Sequence, residues 1–178
     1  MNPRDYLSDQ ITAAGLWEKT IQLKRYDFLI SKGDLDTHLY LVQEGSFRIF
    51  ITEETTEHTI RFGYQGDLIS ALDSFITNRS TSFFFQALRK STIKRISKAK
   101  FEEFINSSDD LKNRWYQGWK GMVYEHMERE QDLLTTSPLE RYKRVLARSP
   151  RLFQEIPNKY IASYLRMTPE TLSRIMKS

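Results

Sequence analysis

The 178-residue sequence contains no cysteine. This absence excludes disulfides, thiolate zinc sites, cysteine-held iron–sulfur clusters and cysteine nucleophiles. Apolar runs are short, and none approaches the roughly 20 residues that a transmembrane helix needs. Residues 1–10 include Arg4, Asp5 and Asp9 but no apolar block, so their pattern is not that of a signal peptide. With 39% hydrophobic and 28% charged residues, the chain can build a core, and we expect a soluble cytoplasmic protein.

Positive charge is concentrated near the C-terminus. Residues 137–178 hold nine lysines and arginines against three acids, a net charge of +6. The preceding 136 residues hold 18 basic and 20 acidic groups, a net charge of −2. A basic end on a mildly acidic body favours a C-terminal module that binds a polyanion. The alternative is a plain, solvated basic surface.

Short strand patterns fill the region from residue 23 to residue 96, after a helical lead-in over residues 1–20. The apolar segments are Leu39–Val42, Phe47–Ile51, Thr59–Phe62, Phe83–Phe85 and Thr92–Ile96. They are rich in branched and aromatic residues and are separated by turn signals. Strands of this length and spacing predict an antiparallel β-roll or sandwich.

A long helix is predicted over about Asp109–Leu134, where proline is absent and two apolar stripes recur at helical spacing. A helix with two apolar faces needs two partners, which we expect to be its own β-roll and the same helix of a second copy. The alternative is a helix buried within one subunit. The predicted dimer interface consists of Leu111, Trp115, Gly118, Trp119, Met122 and His126. The second stripe contains Tyr116, Val123, Tyr124, Met127 and Leu134.

The C-terminal stretch predicts two short helices with a tight link. Ser137-Pro138 first begins a separate helix with a serine cap. The pair then starts near Pro157, turns at Arg166–Thr168, and continues with Thr168 as the cap of the last helix. Leu172, Ile175 and Met176 are the expected buried stripe of that last helix. This pattern is typical of a helix-turn-helix, whose second helix enters the DNA major groove.

Glu170 and Arg174 are four residues apart and so share one face of the last helix. Arg174 has the two donors that grip guanine O6 and N7, and Glu170 can accept from cytosine N4. The alternative is an intrahelical ion pair without a DNA role. The predicted DNA-binding residues are Thr168, Glu170, Thr171, Ser173, Arg174 and Lys177.

The stretch Tyr160–Ile175 follows the predicted β-roll and long helix along the chain. In this order and in this stretch the sequence resembles the Crp/Fnr family of bacterial transcription regulators. Residues 168–175 match the family's recognition pattern, (S/T)-x-E-T-(V/L)-x-R-(I/L). The resemblance implies a homodimeric regulator of double-stranded DNA, with RNA polymerase as a further candidate partner. Pro169 stands where some members have an arginine. In this feature the sequence is similar to a short-chain subgroup of the family found in Bacteroidetes.

The resemblance also implies the fold class and the domains. We expect an α+β protein with a jelly-roll-like antiparallel β-roll over residues 1–107 and a dimerisation helix over 108–136. An all-α helix-turn-helix domain with little or no wing follows over 137–178.

The β-roll resembles a cyclic-nucleotide-binding domain through Gly33, Gly45 and Gly66-Asp67. The family's ligand cassette is Gly-Glu-Leu followed by Arg-Ser/Thr, but here serine and alanine replace the glycine and the glutamate. Loss of the ribose acceptor removes a charge-assisted hydrogen bond, so cyclic nucleotide binding is disfavoured and the effector is unknown. The candidate effector residues are Ser70, Ala71, Leu72, Arg79, Ser80 and Thr81.

Other function classes fit the sequence less well. A cupin-type enzyme needs paired histidine ligands, but His38, His58 and His126 are isolated, which also disfavours haem. No catalytic or metal-binding residues are predicted, and we expect no enzyme activity. A ligand-binding signalling module with a vestigial helix-turn-helix is the remaining alternative.

Overall fold

The computed structural model describes residues 3–177. The chain divides into two compact units. The first comprises the residues up to Ile51 together with Arg61–Lys120, and the second comprises Thr52–Ile60 together with the residues from Gly121 on. A short strand segment from the middle of the chain therefore groups with the C-terminal helices.

The first unit is built from short antiparallel strands. The elements from its start to its last short helix are α1 (Pro3–Ala13), β1 (Lys19–Leu23), β2 (Phe28–Ile30), β3 (Leu39–Glu44), β4 (Ser46–Glu53), β5 (Thr56–Tyr64), β6 (Leu68–Ile69), α2 (Leu72–Thr77), β7 (Phe84–Ala87), β8 (Ser91–Ile96) and α3 (Lys98–Asn106). The strands form two four-stranded sheets, in the orders β1-β8-β3-β6 and β2-β7-β4-β5. The prediction of an antiparallel β-roll is confirmed.

A buried apolar cluster holds the roll together, because successive strand residues point to opposite faces. Tyr40 of β3 packs in this cluster with Phe47 and Ile49, which share one face of β4. Arg48 and Phe50 are buried on the other face of β4, and the Arg48 guanidinium carbon lies 3.8 Å from the Phe50 ring centroid. The aromatic ring thus gives the buried cation a favourable contact.

The tight connection between β3 and β4 requires glycine. Gly45 has a φ of 102°, which lies in the region that side chains disfavour. A Cβ atom there would also lie 2.1 Å from Ser91 Oγ. Any larger residue at this position would strain the backbone and collide with β8.

The long helix α4 (Asp109–Leu134) has the predicted bounds. Its first turns pack with α1 and α3, where Leu7, Phe101 and Leu111 are buried in one cluster. Trp115 packs on this cluster, with its ring centroid 4.9 Å from that of Phe101 at an interplanar angle of 77°. This edge-to-face contact fixes the start of α4 within the first unit.

The second unit continues with α5 (Pro138–Arg148), α6 (Pro150–Glu155), α7 (Asn158–Tyr164) and α8 (Pro169–Lys177). The described residues after Leu134 form helices and their connections. Ser137 Oγ accepts a hydrogen bond from the Glu140 N–H at 3.3 Å, so the predicted serine cap of α5 is confirmed.

Candidate functional site

The helices α7 and α8, joined by residues 165–168, form the C-terminal helix pair. Leu172 of α8 is fully buried and Ile175 is half-buried. The prediction that Met176 is buried is wrong, because this side chain is 42% exposed. It lies in the last turn of α8, on the other flank of Leu172 from Ile175, and only one flank of a short helix is covered.

The beginning of α8 is stabilised by a side-chain cap. The Thr171 N–H donates to Thr168 Oγ1 at 3.2 Å, which confirms the predicted cap. At the same helix start, the backbone N–H of Glu170, then the Thr168 hydroxyl and the Arg174 charge lower the pKa of Glu170. Glu170 is therefore ionised at neutral pH and acts as a hydrogen-bond acceptor only.

The six predicted DNA-binding residues lie together on α8 and its cap. Thr168, Glu170, Ser173, Arg174 and Lys177 are exposed, and the remaining residue, Thr171, is half-buried. Arg174 Nη2 lies 3.5 Å from Thr171 Oγ1, at the limit of a hydrogen bond. The face thus presents two cations, a carboxylate and hydroxyl groups. Proteins use side chains of these types to contact DNA base edges and phosphates.

The turn between α7 and α8 ends the first helix with two backbone hydrogen bonds. The Met167 N–H donates to Ala162 O at 3.0 Å, and the Arg166 N–H donates to Ser163 O at 3.1 Å. This is the Schellman pattern, which usually places glycine at the left-handed position. Arg166 holds that position with a φ of 54°, at a cost of about 1–2 kcal/mol for a residue with a Cβ atom.

Two arginines from other helices bind the carbonyls at the end of α7. Arg129 of α4 donates to Tyr164 O and lies 3.7 Å above the centroid of the Tyr164 ring. Arg141 of α5 donates to Thr135 O at 2.8 Å and to Arg166 O at 3.3 Å. Burial lowers the pKa of Arg129. Cations are favourable at a helix C-terminus, so both arginines stabilise the end of α7.

Much of the C-terminal positive charge is engaged in holding α5 against α4. Asp132 of α4 has 0% exposure and pairs with Arg144, 3.2 Å from its Nε, and with Arg148. Burial works against the Arg148 charge, but the hydrogen bond and charge of Asp132 more than offset it and raise the pKa of Arg148. Exposed pairs also join Lys143 to Glu140 and Arg151 to Glu155. The net charge of residues 137–178 does not include the main partner of these arginines, because Asp132 lies upstream of that range.

The predicted dimer residues on α4 have different environments. Leu111 is buried and Trp115 is half-buried against the first unit, so both pack within the chain. Gly118, Trp119 and Met122 are half-buried, whereas His126 is exposed. The most exposed apolar residues of α4 belong to the second stripe, with exposures from 54% for Val123 to 74% for Leu134. The members of this stripe are Tyr116, Val123, Tyr124, Met127 and Leu134.

An open groove of about 600 Å³ lies within the second unit, beside this stripe. Val123, Met127 and Leu133 form its apolar wall. Arg129 and Thr59 supply polar groups, and neither Arg129 Nη1 nor Thr59 Oγ1 has a hydrogen-bond partner. The groove therefore continues the exposed apolar surface of α4 towards the carbonyl end of α7.

The candidate effector residues lie at the two ends of α2. Ala71 is fully buried at the start of α2, and Leu72 is half-buried. Ser70 Oγ is buried without a hydrogen-bond partner. Arg79 and Ser80 are exposed in the loop that follows α2, whereas Thr81 is buried.

The carboxylate of Asp73 is bonded to this same loop. Thr81 Oγ1 donates to Asp73 Oδ1 at 2.8 Å, and the Ser82 N–H donates to Asp73 Oδ2 at 2.8 Å. The Ser74 N–H donates to Oδ1 as well, also at 2.8 Å. A carboxylate of the chain thus uses the hydroxyl and N–H donors that an incoming anion would need. These contacts fix the orientation of the Asp73 carboxylate towards the loop after α2.

Among residues 3–177, no group of three or more histidine, aspartate and glutamate side chains is placed to hold a metal ion. Within the same residues, no helix combines the length and the apolar character needed to cross a membrane.

The β-roll region of the chain matches a known domain family. The cyclic nucleotide-binding domain family matches residues 20–108, which is half of the chain. The protein therefore belongs to the cyclic nucleotide-binding domain family. No curated protein matches the sequence.

Solved structures of Crp/Fnr regulators are similar to this chain in fold. A mutant of CooA from Carboxydothermus hydrogenoformans is 15% identical with a TM-score of 0.75, over 93% of this chain and 77% of that one. FixK2 from Bradyrhizobium japonicum has the same identity and TM-score, over 89% and 82%. The Thermus thermophilus catabolite activator protein is 20% identical with a TM-score of 0.58, over 97% and 81%. The fold is thus the Crp/Fnr fold, as the sequence predicted.

Proposed function

We propose that this protein is a DNA-binding transcriptional regulator that acts as a homodimer in the cytoplasm. The observation that carries the proposal is the outward face of α8, where Glu170 and Arg174 are exposed. The end of α7 and the turn are fixed by hydrogen bonds from Arg129 and Arg141 to their carbonyl groups. A firmly held helix with an exposed polar face suits major-groove recognition by a helix-turn-helix.

Each exposed group of α8 has a role in this proposal. Arg174 grips guanine through two donors, and Glu170 accepts from cytosine N4. Thr168, Thr171, Ser173 and Lys177 contact phosphates, which fix the register of the protein on the duplex. A contact with RNA polymerase, which the resemblance implies for an activator, stays a prediction.

The second stripe of α4 supports the homodimer. Its exposed members recur at helical spacing over most of the helix, and an apolar stripe of this length on water favours a second copy. The proposal requires that the two α8 helices of such a dimer lie about one DNA turn apart, roughly 34 Å. The dimer surface proposed here is therefore the second stripe rather than the Leu111 and Trp115 positions.

A second candidate function is cyclic nucleotide binding, which the family match over residues 20–108 favours. Against it stand Ala71, which has no acceptor for a ribose hydroxyl, and Asp73, which already holds the donors of Thr81 and Ser82. We propose that the β-roll no longer responds to cyclic nucleotides and that its effector, if it has one, is of another class.

The experiment that tests DNA binding is fluorescence anisotropy with labelled duplexes of about 30 base pairs, long enough for two half-sites one turn apart. We expect affinity to fall steeply between about 50 and 200 mM salt, because phosphate contacts release counterions. Absence of salt-sensitive duplex binding would contradict the proposed function.

The dimer is tested separately by light scattering after size exclusion. The pair of changes Val123→Glu and Met127→Glu places charge on the second stripe and is expected to give monomers. Leu35→Glu is the matched control, because Leu35 is 64% exposed but lies outside α4. A monomeric wild-type protein, or dimers that survive both stripe changes, would exclude this interface.

A further inference from the structure

The hairpin of β4 and β5 supplies the segment Thr52–Ile60, which belongs to the second unit. In its sheet, β5 is the last strand of the order β2-β7-β4-β5 and therefore has an open edge. An open edge leaves backbone N–H and C=O groups without strand partners, and proteins usually cover or pair such groups.

One side chain of α7 pairs with this open edge. The Thr59 N–H donates to Ser163 Oγ at 3.0 Å, and Ser163 Oγ in turn donates to Glu57 O at 3.1 Å. Glu57 and Thr59 are alternate residues of β5, so their backbone groups point to the same side. The Ser163 hydroxyl thus takes the place that a neighbouring strand would occupy.

A second contact joins the hairpin to the turn of the helix pair. Arg166 Nη1 lies 2.9 Å from His58 Nδ1. Since arginine can only donate, Nδ1 accepts and the ring proton lies on Nε2, 3.3 Å from Glu53 Oε2. This contact gives a reason for arginine at a left-handed position where glycine is the usual residue.

We propose that the open edge of β5 positions the C-terminal helix pair for DNA, with Ser163 and Arg166 as positioning residues. This inference rests on the proposed DNA-binding function and adds a determinant outside α8. The two residues lie on α7 and in the turn, so they fix the start of α8 while its outward face stays exposed.

The test uses two variants of the full chain, Ser163→Ala and Arg166→Gly. The glycine change removes the His58 contact and at the same time relieves the left-handed backbone, so it tests the side chain without straining the turn. In the DNA-free protein, we expect faster hydrogen exchange of the Thr59 amide in Ser163→Ala, measured by NMR. In anisotropy titrations, each variant is expected to bind duplex DNA about 2- to 10-fold more weakly, the range for one lost hydrogen bond.

The salt dependence separates positioning from direct contact. A positioning residue leaves the slope of log affinity against log salt unchanged, whereas a lost phosphate contact reduces it by about 1. Thr55→Ala, at the exposed tip of the same hairpin, is the matched control and should change neither exchange nor affinity. Ser163→Thr keeps a hydroxyl and is expected to recover affinity.

Three results would overturn the inference: unchanged Thr59 exchange in Ser163→Ala, faster exchange with unchanged DNA affinity, or a reduced salt slope in Arg166→Gly. A wild-type protein that binds no duplex DNA refutes the proposed function, and the positioning role is refuted with it. A wild-type protein that binds DNA as tightly as both variants refutes the positioning role alone.

Discussion

The outward face of α8 and the cassette around α2 differ in where their polar groups are directed. On α8, Glu170 and Arg174 are exposed to solvent at the start and middle of a capped helix. In the cassette, the Thr81 hydroxyl and the Ser82 N–H are bonded to Asp73 of the same chain. Both regions lie on elements that the fold predicts, but in the cassette two of the donors that an anion would need are already used by the chain itself.

This difference shows that the residues that build the fold and the residues that bind a ligand can change independently. The β-roll depends on buried apolar side chains such as Phe47 and Ile93, and many sequences satisfy that requirement at low identity. Ligand binding depends on a few polar atoms, and a single carboxylate such as Asp73 is enough to occupy them. Membership of a family therefore describes the roll better than it describes its effector.

The largest expected effect concerns charges that hold the second unit together. Asp132→Asn removes the fully buried counter-charge of Arg144 and Arg148 and leaves them Glu128 at 3.5 Å, and we expect a loss of about 3 kcal/mol in the free energy of unfolding. Urea denaturation measures it. The control Glu140→Gln removes an exposed partner of Lys143 and should cost less than about 1 kcal/mol. Equal, small effects of the two changes would mean that the pairing of Asp132 with Arg144 and Arg148 does not stabilise the second unit.

The next effect concerns the exposed charges of α8. Arg174→Ala is expected to weaken specific DNA binding by about 1–3 kcal/mol and to relax the base preference at one position. Lys177→Ala should weaken binding to all sequences alike and reduce the salt slope by about 1. Binding to duplexes selected from a random pool measures both. Thermal stability should stay within about 0.5 kcal/mol, because both side chains are exposed.

A smaller effect is expected where a polar group is bonded within the cassette. Asp73→Ala frees the donors of Thr81 and Ser82, and we expect a loss of about 1.5 kcal/mol, as for one charge-assisted hydrogen bond. Chemical denaturation measures this loss, and Asp34 and Asp27, which hold other turns, should retain their contacts. An unchanged stability would show that the Asp73 contacts do not hold the loop.

The sequence predicted the elements better than it predicted the use of polar groups. The bounds of α4 and the Thr168 and Ser137 caps followed from periodicity and short local patterns. The pairing of Asp132 with Arg148 did not, because the partners lie on different helices and no local pattern joins them. The contact of Ser163 with β5 spans 104 residues, so it depends on the complete fold.

The smallest expected effect is the response of the wild-type β-roll to cyclic AMP. If the Kd for cyclic AMP were about one hundredth of the ligand concentration used, binding would add about 2.7 kcal/mol to the apparent stability. A thermal-shift measurement detects a change of that size readily. We expect no shift for the wild-type protein, since the Asp73 carboxylate repels a phosphate and holds its donors. In Asp73→Ala the Thr81 hydroxyl and the Ser82 N–H are free to donate hydrogen bonds to the phosphate, and we expect a measurable shift. A shift in the wild-type protein would show that the cassette is as open to its ligand as the face of α8.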